Sequence, residues 1–368
     1  MRKYKYLILI ILAVGIVFAG CTSNSGSDGN KENLPAAKGA ESELYVVMDS
    51  AHWNGELGMA VKETFAMAIP GLPRDEPIFS MKFVNPLQFS GYLRHAKNLL
   101  FVTTLNNNSR QGKRMKNFFT EESLQMMQEK PEMYRFVLKD QYARGQSVLH
   151  LFGQNENQLI RQINENRSEL QQVFLSQELK RLTKKIYSGV KKKGLMNTLL
   201  KNHDFFLNIP GDYKLAKERD NFLWIRHYTQ AIDKNLVIYY QDYDDENVFE
   251  DQSIFELREK IAGRYLRDIE DSTIYMVTET LVPLSTKKIN FGGKYAVETR
   301  GLWKLSDMSM GGPFLSYIFV DENRRRLYYI EGYVASPGKT KRETIRELEI
   351  ILKTFKTREE YQELKSKS

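Results

Sequence analysis

Apolar residues fall into two patterns along this chain: short runs bounded by Gly, Pro and Asn, and stripes at helical spacing. Both are densest between Thr299 and Phe355. There TRGLWKLSDMSMGGPFLSYIFV is followed by the charged turn DENRRR and then by LYYIEGYVASPG. Two apolar runs around a short Asn-containing turn predict a β-hairpin. The next segment carries Ile345, Leu348, Ile351, Leu352 and Phe355 at helical spacing, one apolar face to lay on a sheet. Thr340 and Glu343 form a T-x-x-E pattern that predicts a capping box at its start. Alternation over Tyr295–Leu305 puts Tyr295, Val297, Trp303 and Leu305 on one face, and Glu298, Arg300 and Lys304 on the other. Trp303 is therefore expected in the core, near Ile345, Leu348 and Leu352. A bulge at Gly301 would swap these faces.

The same patterns run back through the chain. Strands are expected at Leu44–Met48, Ile78–Val84, Leu99–Leu105, Met133–Lys139 and Ser147–Phe152, with helices at Trp53–Ile69 and Glu121–Lys130. Glu156–Tyr187 reads as one helix of about 50 Å, long enough to bridge two lobes. Ser188-Gly189 breaks it and sets a boundary between a first lobe, 42–189, and a second, 190–356. The second half predicts a helix at Leu195–Leu200 and a hairpin series through Phe205–Ile209, Phe222–Tyr228 and Leu236–Tyr243. A helix at Ser253–Arg267 and strands at Tyr275–Val282 and Tyr295–Leu305 follow. Residues 357–368 read as a polar tail. Strands and helices mix without a regular βαβ rhythm, so the expected class is α+β, with mixed, mainly antiparallel sheets and packed helices.

The front of the chain changes the picture. Arg2, Lys3 and Lys5 precede an uncharged apolar run, Tyr6–Phe18, which is too short for a comfortable span and reads as a signal segment over 1–20. Ala19-Gly20-Cys21 resembles the lipobox of bacterial lipoproteins, in which the cysteine is lipidated and becomes the mature N-terminus; Phe18 stands where Leu is usual. The other readings of this segment are an ordinary cleaved signal and an uncleaved anchor helix. Cys21 is the only cysteine, so with its sulfur acylated the mature chain offers no disulfide, no thiol nucleophile and no thiolate metal ligand. Residues 21–41, poor in apolar side chains, read as a tether. Asp28 is the one acid near the cysteine, with no acidic run around it, and this favours the periplasmic side of an outer membrane over the cell surface. Loss of the signal lowers the formal charge of +8 by three. The mildly basic remainder suits anionic lipid or wall polymer and gives no argument for nucleic acid. At 42% hydrophobic and 12% aromatic, the chain can build a full core.

Arg300-Gly-Leu-Trp303, Met310-Gly-Gly-Pro-Phe314, Glu331-Gly332 and Lys341-Arg342, with Met48-Asp49, Trp53, Leu57-Gly58 and Leu72-Pro-Arg-Asp-Glu-Pro77, resemble the domain-of-unknown-function 4837 family of Bacteroidota lipoproteins. The resemblance runs over nearly all of the mature chain. It implies an anchored envelope protein and brings no catalytic residue. The second half is also similar to the PsbP-type fold, an analogy of fold that says nothing of chemistry.

Chemical motifs are few. Gly332-YVASP-Gly338-Lys339-Thr340 lies between strand and helix as a P-loop would, but it has five residues between its glycines, and Pro337 has no N–H to give. Asp242, Asp244 and Glu246 have EF-hand spacing without the turn glycine or the closing glutamate. Asp49, Ser50 and His52 are neighbours in sequence, which does not make a triad. Lys180, Arg181, Lys184, Lys185 and Lys191–Lys193 form a basic helix end, read either as solvated charge or as a contact for anionic headgroups. No cofactor or metal is implied. The expected protein is a lipid-anchored, non-catalytic binding or assembly module with a protein, lipid or cell-wall partner. An extracytoplasmic hydrolase and a structural subunit of a membrane complex are the other readings. The candidate binding surface is Arg300, Asp307, Met310, Gly311 and Gly312, with Cys21 as the lipid site.

Overall fold

The alternation that marks the last third of the sequence builds an antiparallel sheet whose two faces are both covered. A computed structural model describes residues 33–189, 193–268 and 270–367; Cys21 and the signal segment lie outside them. In the first lobe the elements run β1 (Glu43–Met48), α1 (Ser50–Asn54), α2 (Glu56–Phe65), β2 (Ser80–Val84), β3 (Asn98–Thr104), α3 (Arg110–Lys116), α4 (Glu121–Glu129), β4 (Arg135–Lys139), β5 (Ser147–Gly153), α5 (Glu156–Glu165) and α6 (Arg167–Ile186). The sheet order is β2-β1-β3-β5-β4, parallel except for β4. Strands β3 and β5 are buried along their whole length, as parallel strands covered on both faces must be. The expectation of mainly antiparallel pairing holds for the second lobe and not for this one.

The second lobe runs α7 (Lys193–His203), β6 (Phe205–Phe206), β7 (Lys214–Arg219), β8 (Phe222–Thr229), β9 (Ile232–Asp242), α8 (Asp251–Tyr265), β10 (Met276–Thr278), β11 (Ser285–Phe291), β12 (Lys294–Leu305), β13 (Gly311–Asp321), β14 (Arg326–Ala335), α9 (Arg342–Leu352), β15 (Lys356–Thr357) and α10 (Arg358–Ser366). Its main sheet is β10-β12-β13-β14-β9-β8-β7, with β11 also on β12. The closing hairpin forms as read, Asp321 opposite Arg326. Leu315, Tyr317, Ile330 and Val334 face the Ile345–Leu348–Leu352 stripe of α9. Their neighbours Phe314, Ile318, Tyr329 and Tyr333 face Ile254, Leu257 and Ile261 of α8. The class is α+β.

Several expectations need correction. Trp303 is buried, but its face of β12 packs under α8; Arg300, on the other face, is the residue beneath α9. Tyr295, assigned to the core face, is half exposed against Phe249. No bulge occurs at Gly301, which pairs Phe314 in an unbroken register. The long helix is two: Asn166 ends α5 and turns its side chain back to the Gln162 carbonyl. The Trp53–Ile69 helix likewise breaks at Gly55 and stops at Phe65. Thr340 caps nothing, and α9 has no side-chain cap of its own. The real capping box is Thr357 with Glu360, so the expected polar tail is the helix α10.

Candidate functional site

The ends of β12 and β13 meet across the turn Ser306–Met310 and open a cleft of about 430 Å³. Its walls come from the second lobe through Leu302, Trp303, Lys304, Met308, Met310, Gly311 and Gly312, from Ser336, Pro337 and Lys341 after β14, and from Pro73 and Arg74 of the first lobe. The turn is held by Leu305 N–H donating to Met310 O at 2.9 Å. Asp307 Oδ1 accepts from Ser309 N–H (3.0 Å) and Oγ–H (2.8 Å), and these bonds hold its carboxyl below the usual range. Met308 adopts φ +63°, a left-handed conformation that costs a side-chain-bearing residue strain, and it is 76% exposed.

Two polar groups in this cleft lack partners. Trp303, 3% exposed, stacks edge-on to Tyr333 at 5.3 Å, and its Nε1 donates to nothing. Ser336 is 1% exposed, with Oγ equally unpaired. An orphaned buried donor costs about 1–3 kcal/mol, so two in one cleft are a feature to explain. The space beside the indole exists because residue 312 is glycine: a Cβ there would lie 2.0 Å from Val334 O and 3.3 Å from Trp303 Nε1. Lys304 pairs with Glu279 at 3.0 Å, whereas Arg74 is exposed with no ion pair among the described residues.

The predicted surface thus divides. Met310, Gly311 and Gly312 line this cleft; Asp307 braces the turn behind it; Arg300 does not belong to it. Arg300 lines a second cleft of about 260 Å³ between the lobes, walled by Ile69, Pro70, Leu175, Leu179 and Ile345. Burial pulls its guanidinium down, but Glu349 (2.9 Å) and Glu298 (2.7 Å) outweigh that and hold it above the ordinary value. Trp303, read only as core, and Ser336 and Arg74, not singled out at all, are the residues the sequence missed. The register that sets Trp303 opposite Gly312 is the signal that could have found the first of them.

The lobes are fastened beside the cleft. Glu76 of the first lobe accepts from the N–H groups of Lys341 and Arg342 at 2.8–3.0 Å and so caps α9. Arg342 donates to Pro77 O (2.7 Å), and Arg346 to Ile78 O (2.9 Å) and to the Ser42 hydroxyl. A carboxylate therefore occupies the helix end where a P-loop would hold phosphate. Asp49 accepts from Ser109 and Ala51, Ser50 donates its N–H (2.8 Å) and hydroxyl (3.1 Å) to Gln111 Oε1, and His52 meets Glu156 at 3.2 Å, so these neighbours form caps and not a triad. Among the described residues no three His, Cys, Asp or Glu gather as a metal site, the Asp242–Glu246 loop included. No helix there is long and apolar enough to cross a membrane.

A model of the Domain of unknown function (DUF4837) matches residues 192–354. The second lobe is a DUF4837 domain. A separate Domain of unknown function (DUF8532) matches residues 37–187, so the strings from Met48 to Pro77 fall outside the DUF4837 match, which does not extend over the whole mature chain as the resemblance implied. No curated protein matches. Among solved structures, the Saccharomyces cerevisiae Ran-binding protein Mog1p is 7% identical with TM-score 0.30, covering 43% of this chain and 93% of its own. A variant of Mog1 gives 8%, 0.29, 43% and 93%. A Bacteroides thetaiotaomicron protein gives 9% and 0.23, covering 42% of this chain and 45% of its own. Likeness of this order carries no argument about the DUF4837 domain or its cleft.

Proposed function

We propose that this is a lipid-anchored protein of the cell envelope, held through Cys21 on the periplasmic side of an outer membrane, and that its two lobes form a non-catalytic binding module. The observation that carries the binding reading is the pair of unpartnered polar atoms, Trp303 Nε1 and Ser336 Oγ, in a cleft to which both lobes contribute. A ligand with an acceptor group satisfies both, and Arg74 favours one that is anionic. Both atoms are closed to solvent, so the ligand enters as the strained Asp307–Met310 turn moves. Ser336 has no histidine beside it in the cleft, and the one carboxylate there, Glu279, is tied to Lys304. That chemistry suits holding better than turnover. The Ala-Gly-Cys sequence supports the anchor.

The test is the state in which the protein leaves its membrane. Purified in mild detergent, the wild type is expected to carry acyl mass on Cys21 and a bound partner or small molecule that Trp303→Phe releases. An unmodified Cys21 overturns the anchor. Hydrolysis of an ester, peptide or glycoside that Ser336→Ala abolishes overturns the non-catalytic reading.

A further inference from the structure

The segment leading from the tether does not enter the fold at the cleft. Residues Pro35–Lys38 lie on the first lobe at the start of β3 and β5. Arg144 N–H donates to Pro35 O at 2.8 Å, Ala37 N–H to Arg144 O at 2.9 Å, Lys38 N–H to His95 O at 2.7 Å and Lys97 N–H to Lys38 O at 3.1 Å. The basic end of α6 comes to the same place, because Arg181 donates to Gly145 O at 2.9 Å and Lys185 pairs with Glu41 at 2.9 Å. Lys180 and Lys184, four residues apart, stand beside Arg181 on that helix. The basic end of α6 and the chain's own entry point thus share one end of the lobe.

The charge there is not neutralised. Glu178 and Glu41 are each used by Arg181 and Lys185, and Asp140 is turned to the N–H groups of Gly145 and Gln146. Lys97 lies in the field of Glu41 and Glu43, whereas Lys38, Arg144, Lys180 and Lys184 are exposed with no ion pair among the described residues. Tyr92, on the turn Gly91–His95 whose last carbonyl accepts from Lys38, is 78% exposed, an amphipathic ring of the kind that settles at a headgroup layer.

We infer that this end of the first lobe is a docking surface for anionic lipid headgroups, which holds the lobe against the membrane. The inference rests on the anchored reading for one point only. Cys21 lies fourteen residues before Pro35, so an acyl chain there keeps this surface within about 50 Å of the bilayer. The positive field of the patch acts over a Debye length, about 8 Å at physiological ionic strength, and each basic residue near an anionic surface strengthens binding about fivefold. The patch therefore works as a second attachment.

The full processed protein is reconstituted on vesicles of phosphatidylcholine alone and of phosphatidylcholine with phosphatidylglycerol, then treated with a membrane-impermeant amine reagent and read by mass spectrometry. Labelling of Lys38, Lys97, Lys180 and Lys184 is expected to fall severalfold on the anionic vesicles and to recover in high salt. Lys287 and Lys288, exposed on β11 of the other lobe, serve as the unchanged reference. A variant with Arg144→Gln, Lys180→Gln and Lys184→Gln should restore labelling at Lys38 and Lys97 while the chain still floats with the vesicles. Equal labelling on both kinds of vesicle overturns the docking surface and leaves the anchor standing. Protection shown by a chain whose Cys21 proves unmodified keeps the surface and overturns the anchor.

Discussion

The indole of Trp303 offers a ring to the core and an N–H to the cleft, and the two can be removed separately. Trp303→Ala should cost about 3–5 kcal/mol in urea denaturation, the usual penalty for emptying a large buried site. Trp303→Phe keeps most of the ring, should cost far less, and should abolish ligand retention; a ligand still retained by Trp303→Phe would deny the N–H a role. His150 gives a second test. It stacks on Phe101 at 4.6 Å, and burial lowers its pKa from 6.5 to about 4. The unfolded chain then takes up the proton first. Stability is complete above about pH 6.5 and falls as the pH drops towards 4, by about 3 kcal/mol. His150→Phe should flatten that part of the profile. Neither property could be read from sequence. The alternation around Trp303 showed that it would be buried, but an unpaired Nε1, or an imidazole with Nδ1 left unpaired, depends on what the neighbouring elements supply, which periodicity does not carry.

Among the elements, α9 shows how a correct stripe can be laid on the wrong neighbour. Its apolar spacing was legible and its partner sheet was correct. The face was misassigned because β12 is covered on both sides, and alternation alone does not say which helix takes which side. Strands β7 and β11 escaped notice for a related reason: they lie toward the sheet's edges and are rich in Lys, with little apolar alternation to mark them. The cap of α9 was hidden by distance, since Glu76 is 265 residues from Lys341. Glu76→Ala should cost about 1–2 kcal/mol through the lost cap and dipole partner, and Thr340→Ala, the expected cap, within about 0.5 kcal/mol. The reverse order would restore the sequence-based capping box.

Across the whole molecule, the second lobe is centred on an ion pair. Arg258 is bidentate to Glu331 at 3.0 Å, stands over Phe314 at 3.8 Å and donates to Thr278 at 2.7 Å, while Tyr329 donates to the same carboxylate. Removing one partner strands the other charge, so Arg258→Met should destabilise by about 3–5 kcal/mol in chemical denaturation, and a neutral result would mean the pair is offset by packing. The fastening of the lobes has a different weight. Arg346→Met removes the donors to Ile78 O and Ser42, and should separate one unfolding transition into two, seen as non-coincident fluorescence and circular dichroism curves.

The cap on α9 also orders events in time. A chain is made from its N-terminus, so Glu76 is in place long before Lys341 and Arg342 leave the ribosome. Helix α9, which has no side-chain cap of its own, finds its acceptor already built. A second lobe produced alone would have to start α9 on water.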